Sequence, residues 1–185
     1  MKKPDIVYLG NKLLKKSFPS LRRTTIYLGW NELEPDAFMI CAPYNAKTPN
    51  TPGTEYYTDV DIIMIDAPLA AIIGGLTHEF SHIEEWVNNR RLWTPTRFRR
   101  VETSPKLRGE DEIKTDLRVI AKGLGMGLLE FSRYAENVVA AGLKEAIDEG
   151  GIPTEHLEYI IKADGRLPHP FTYRDYINYF GNGDG

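Results

Sequence analysis

His78, Glu79 and His82 stand in the pattern H-E-x-x-H, spelled His78-Glu79-Phe80-Ser81-His82 in this chain. On an α-helix, residues four apart lie one above the other, so both imidazoles can reach a single metal ion. The glutamate beside the first histidine is then placed to serve as general base for a water activated by that ion. The chain contains four histidines, and this one turn uses two of them.

A hydrolytic zinc site needs a third protein ligand and an open position. The metzincin continuation would place Gly and His three and six residues after His82, where this chain has Glu85 and Asn88, so that pattern is excluded. Glu85 is also a poor ligand, because seven helical residues carry it about 10 Å from His78. The acidic segment Gly109-Glu110-Asp111-Glu112-Ile113-Lys114-Thr115-Asp116 offers better candidates. Ile113, Leu117, Ile120 and Leu124 give it a helical stripe, with Glu112 and Asp116 along the edge. Carboxylates at that spacing repel unless a cation or a donor lies between them.

His78-Glu79-x-x-His82 followed by a helix bearing Glu112-x-x-x-Asp116 resembles the gluzincin, thermolysin-like branch of zinc metallopeptidases, over roughly residues 60 to 125. Small single-domain H-E-x-x-H peptidases, including phage-associated and toxin–antitoxin-linked ones, are similar in size. The resemblance implies one zinc ion per chain, with His78, His82 and Glu112 as ligands. It implies Glu79 as base and proton shuttle, and Asp116 as the acceptor that orients a ligand histidine through its other ring nitrogen. It further implies hydrolysis of peptide bonds in a peptide or protein substrate. Glu110 and Asp111 stand as fallback ligands. A hydrolase of this kind also needs a donor for the oxyanion, and His156, His169, Tyr134 and Tyr159 all remain open for that role.

The elements that must position these groups are legible in outline. Pro68 suits the first turn of a helix capped by Asp66 or Ala67. Leu69, Ile72, Ile73, Leu76, Phe80, Ile83 and Val87 fall within about 40° of one direction, and the two histidines lie about 180° and 220° away. Ala71, Gly74 and Gly75 share the histidine side one turn earlier. Mid-helix glycines cost about 1 kcal/mol each relative to alanine, so a close neighbour is expected there. Residues 5 to 16 read as a short amphipathic helix. Thr24–Trp30 and Ala37–Ala42 read as a hairpin around the turn 31–36. Residues 48–53 read as loop, and Tyr56–Ile65 as a strand running into the motif helix. By the resemblance, that strand is an edge that holds an extended peptide. Residues 109–149 read as helical with a break near Gly123, Gly125 and Gly127. Thr154 caps a helix that reaches Ala163 and ends at Asp164-Gly165. The expected fold is α+β and zincin-like: a small antiparallel or mixed sheet from the N-terminal third, the motif helix, then a mostly helical C-terminal half, in one domain over 1–185.

Composition narrows the function classes. With 185 residues, 42% of them hydrophobic, the chain is long enough to bury a substantial core. A net charge of -3 gives no bulk attraction to nucleic acid or anionic membrane. The start lacks a signal-like apolar stretch, and Val60–Leu76 is broken by Asp61, Asp66 and Pro68, so no membrane association and a cytoplasmic location are expected. Cys41 is the only cysteine and is expected to be a buried thiol. Arg90, Arg91, Arg97, Arg99, Arg100, Lys106 and Arg108, interleaved with Trp93 and Phe98, read as a solvated loop paired to nearby acids; binding of nucleic acid or an acidic substrate there, or a flap over the cleft, is a weaker alternative. Phe171, Tyr173, Tyr176, Tyr179 and Phe180 read as packing residues. Two rival functions stand beside the peptidase. One is a catalytically silent zinc-binding regulatory or interaction protein on the same fold. The other is a di-iron protein, which would need a second E-x-x-H that residues 84–158 do not contain.

Overall fold

The computed structural model describes residues 4–45, 51–145, 151–163, 167–168 and 170–181. Helix α1 (Ile6–Ser17) leads through a single turn at Pro19–Leu21 into strand β1 (Ile26–Asn31), then strands β2 (Met39–Pro43) and β3 (Tyr56–Asp61). Six further helices follow: α2 (Leu69–Asn88), α3 (Pro95–Glu102), α4 (Pro105–Ala121), α5 (Gly125–Ala140), α6 (Thr154–Lys162) and α7 (Tyr173–Phe180). The class is α+β with a small mixed sheet, as the sequence indicates.

The sheet corrects the expected hairpin. Strands β1 and β2 do not pair; β3 lies between them, parallel to β1 from Ile26↔Tyr56 to Asn31↔Asp61 and antiparallel to β2 from Met39↔Val60 to Pro43↔Tyr56. Burial explains the order. Tyr56, Thr58 and Val60 are fully buried, whereas β1 is only partly covered, so β3 takes the centre. It follows that β3 is not the edge strand. The edges are β1 and β2.

Strand β3 also stops at Asp61 instead of running to Ile65. The Asp61 carboxylate accepts from Ile63 N and caps a tight turn over Ile62–Asp66. The same carboxylate accepts from Leu33 N and from Lys144 Nζ, which ties the end of the sheet to the segment after α5. Burial alone would raise the Asp61 pKa, but the hydrogen bonds from Lys144, Ile63 and Leu33 outweigh it and hold the carboxyl below its usual value.

Helix α2 starts after Pro68, which occupies the cap position itself. Ile72, Leu76, Phe80 and Ile83 are fully buried, while Leu69 in the first turn is 53% exposed and drops out of the stripe. The opposite side of the helix is buried too, through Ala71, Gly74, Gly75, Thr77, Ser81 and His82. Helix α5 supplies the neighbour that the glycines anticipate. A Cβ on Gly74 would stand 1.9 Å from the Gly127 carbonyl oxygen, so only glycine admits the backbone of α5 at this crossing. Gly75 faces the Met39 side chain from β2 in the same way.

The helical break is narrower than expected: α4 ends at Ala121 and α5 begins at Gly125, with Gly123 at φ 75°. Thr154 is the first residue of α6 rather than its cap, and its hydroxyl is bonded to Glu136 and Ser132. The expected stop at Asp164-Gly165 lies outside the described residues. Two apolar clusters result, one joining α1, the sheet and α2, the other joining α4, α5, α6 and α7. The motif helix and α4 come from different clusters, and the histidine face of α2 meets α4 where the clusters adjoin. No helix among the described residues is long and apolar enough to cross a membrane.

Candidate metal centre

Helix α4 lays two i, i+4 pairs against the histidines: Glu112 with Asp116, and Asp111 with Thr115. His78 Nδ1–H donates to Asp116 Oδ1 at 2.8 Å, and His78 Nε2 lies 2.8 Å from Glu112 Oε2. His82 Nε2 lies 3.1 Å from His78 Nε2 and 3.3 Å from the same Glu112 oxygen. On its far side, His82 Nδ1 lies 3.2 Å from Thr115 Oγ1 and 3.4 Å from Asp111 Oδ2. Both rings therefore turn Nδ1 toward acceptors and Nε2 toward a shared point. His78, His82 and Glu112 form a group with the composition and spacing to hold a metal ion.

The donor set fits such an ion. Ligand atoms around a tetrahedral zinc with bonds of 2.0–2.1 Å stand about 3.3–3.4 Å apart. The three separations here, 2.8, 3.1 and 3.3 Å, lie at or slightly inside that value. With both Nδ1 atoms protonated, two nitrogen lone pairs and a carboxylate oxygen converge, and only protons or a cation can satisfy all three. Without a metal, protons take that place. Burial opposes charge on His78, but the hydrogen bonds to Asp116 and Glu112 outweigh it and hold its pKa well above the ordinary imidazole value. Burial likewise opposes charge on His82, yet Glu112 and Asp111 push its pKa up to about 9. Glu112 is pulled well below the carboxylate range, because the two histidines overcome the cost of its burial.

Asp116 is 3% exposed, and its second oxygen accepts from Ile152 N at 2.7 Å. A Cβ on Gly151 would stand 1.9 Å from that oxygen, so the chain reaches the carboxylate only because residue 151 is glycine. Behind His82 lies an aromatic layer. Trp86 sits 5.9 Å from its ring, and Trp93 and Phe98 close on Trp86 at 6.1 and 5.1 Å between centroids.

Glu79 is buried on the side of α2 that faces β2, where Cys41 Sγ lies 3.4 Å from its carbonyl oxygen. Burial, the charge of Glu79 and a hydrogen bond with it push the Cys41 thiol well above its ordinary pKa. Cys41 is therefore a neutral thiol at physiological pH and not a nucleophile.

All four residues proposed around the metal from sequence are thus assembled, but neither fallback ligand joins them. Asp111 lies on the far nitrogen of His82, and Glu110 pairs with Lys114. Glu85 accepts from Trp93 Nε1 and faces Arg118. Among the oxyanion candidates, Tyr134 donates to Ile63 O, His156 bonds Tyr176 and stacks on Phe180, and Tyr159 packs exposed against Phe180. His169 lies outside the described residues. The contributions of Thr115, Arg118 and Gly151 were missed from sequence. Thr115 and Asp111 could have been found as the second i, i+4 pair on the face that carries Glu112 and Asp116.

The basic segment is not a loop throughout: Arg90 and Arg91 lie in the turn after α2, Arg97, Arg99 and Arg100 on α3, and Lys106 and Arg108 in the first turn of α4. Thr94 caps α3 and Pro95 opens it, Trp93 and Phe98 turn inward, and Arg97, Arg99 and Arg100 turn outward. Arg97 lies over the Trp93 ring, Arg90 donates to Val87 O and Arg108 to Glu102 O. Comparison with protein-family models, characterised proteins and solved structures finds no match to this chain.

Proposed function

We propose that this protein is a zinc-dependent metallopeptidase with a zincin-like active site, acting on a peptide or protein substrate. The observation that carries the proposal is the convergence of His78 Nε2, His82 Nε2 and Glu112 Oε2 on one point, on the helix that also holds the buried carboxylate of Glu79. Two imidazoles and one glutamate are the ligand set of a hydrolytic zinc site with an open fourth position. A zinc ion held there would supply Lewis-acid polarisation of the scissile carbonyl and bring the pKa of a coordinated water to about 7.

The chain's own residues do the rest. Asp116 holds the Nδ1 proton of His78, which leaves Nε2 free to ligate. The Trp86, Trp93 and Phe98 layer shields the back of His82 from water. Glu79 takes the proton of the attacking water and hands it to the leaving amine. The neutral Cys41 thiol beside it does not compete as a nucleophile.

The test is a peptide-library assay with zinc, with chelator, and with Glu79→Gln. Hydrolysis that requires zinc and disappears in Glu79→Gln while the metal stays bound is the expected result. Loss of the metal in that variant would make Glu79 a ligand and overturn the assigned roles. A zinc-loaded wild-type protein that cleaves nothing would favour the catalytically silent metal-binding protein instead.

A further inference from the structure

His82 can ligate through Nε2 only if the single proton of its neutral ring stays on Nδ1. The donors and acceptors around Thr115 decide where that proton sits. The Thr115 hydroxyl lies within hydrogen-bonding distance of three groups: an Arg118 guanidinium nitrogen at 2.6 Å, the Asp111 carbonyl oxygen at 2.9 Å and His82 Nδ1 at 3.2 Å. A guanidinium only donates, and a carbonyl only accepts. The one hydroxyl proton therefore goes to Asp111 O, and the lone pairs of the oxygen face Arg118 and His82. In that arrangement His82 Nδ1 must be the donor.

The opposite arrangement would send the hydroxyl proton to Nδ1 and leave the ring proton on Nε2, where a metal cannot bind. It would also turn the Nδ1 lone pair toward the Asp111 carboxylate 3.4 Å away, which can only accept when ionised. Two independent acceptors thus demand the same polarity. Thr115 is fully buried, and Arg118 is held in turn by Glu85, whose other oxygen accepts from the buried Trp93 indole. The group is fixed from three elements: α2, α4 and the connection into α3.

We propose that Thr115, keyed by Arg118 and supported by Asp111, is a positioning residue that fixes the His82 tautomer and presents Nε2 to the metal. The proposal rests on the metal-binding half of the proposed function and is independent of whether a peptide is cleaved. It assigns to His82 a partner set of a different kind from the single carboxylate that serves His78.

The test compares the full-length wild-type chain with Thr115→Ser, Thr115→Val and Arg118→Met. Two quantities are read: zinc affinity by competition with a chelator, and the His82 ring tautomer by nitrogen NMR of the metal-free protein at alkaline pH. Thr115→Ser keeps the hydroxyl and should match the wild type. Thr115→Val should lose about 10- to 100-fold in zinc affinity, and its neutral ring should shift from Nδ1–H toward a mixture. Arg118→Met, at a partly exposed position that perturbs the core less, should move both readouts in the same direction. Wild-type affinity and tautomer in Thr115→Val would overturn the proposal. So would an equal loss in Thr115→Ser, which would reduce Thr115 to packing. A wild-type chain that binds no zinc would instead sink the metal site itself, so the two failures are distinguishable.

Discussion

Raising the pH perturbs the candidate centre without altering a residue, because a metal and protons compete for the same three atoms. His82 is pushed up to about 9 in the metal-free protein. At pH 7 that leaves about one ring in a hundred ready to ligate, a penalty of about 3 kcal/mol against the metal relative to alkaline solution. Between pH 7 and 9 the apparent zinc affinity should rise about tenfold per pH unit from His82 alone. His78, held well above its usual value, also gives up a proton to the metal, which brings the combined slope toward about a hundredfold per unit below both pKa values. Glu112, pulled low, stays ionised throughout and adds nothing to the slope. The sign for stability follows. A histidine with a raised folded-state pKa stabilises the metal-free protein fully below the unfolded value near 6.5, and that contribution is lost as pH rises through about 9. The zinc-loaded protein should not show this loss, because the metal replaces the protons. Competition against a chromophoric chelator at pH 7 and 8 gives the slope, and calorimetry in buffers of different ionisation heat gives one to two protons released per ion. A flat affinity with no proton release would refute the competition and the geometry behind it.

Other consequences concern the scaffold. Gly74→Ala places a methyl 1.9 Å from the Gly127 carbonyl, so α5 must move; a loss of about 3 kcal/mol and a fall in Tm of about 6–12 °C are expected in thermal unfolding. Gly109→Ala on α4 meets nothing within 4 Å and should instead leave Tm unchanged or raise it slightly, which separates crowding from helix propensity. Lys144→Met strands the buried Asp61 carboxylate and should cost about 3–5 kcal/mol at pH 7. Because the folded-state pKa of Asp61 is depressed, the contribution of this pair is present above the unfolded carboxyl value and lost as pH falls. The gap between wild type and variant in urea unfolding should therefore narrow toward pH 3.

Most of the candidate site was legible because its groups lie at fixed helical spacings on two helices. His78 and His82 share one face of α2, and Glu112 with Asp116 share one face of α4; spacing put each pair together, and the family resemblance singled out Glu112 and Asp116 from their acidic neighbours. The glycines at 74 and 75 correctly announced close neighbours, since helix interiors carry glycine at a cost. Pairing order in the sheet was not legible, because β1 and β2 each alternate acceptably for a hairpin. What separates them is the burial of Tyr56, Thr58 and Val60, which depends on helices that come later in the chain. The partners of His82 were hidden for a related reason. A threonine and an arginine on a helix are ordinary until another helix brings an imidazole to them, and Gly151 matters only through contact with Asp116 across a long stretch of sequence.

The central claim is that His78, His82 and Glu112 hold one metal ion, and the most direct measurement is the metal content of the purified chain beside that of His82→Ala, with circular dichroism to confirm that both are folded. The account predicts one zinc per wild-type chain and its loss in a folded His82→Ala protein. Zinc retained in that variant, two irons per chain, or a wild-type protein that takes up no zinc when it is supplied would contradict it.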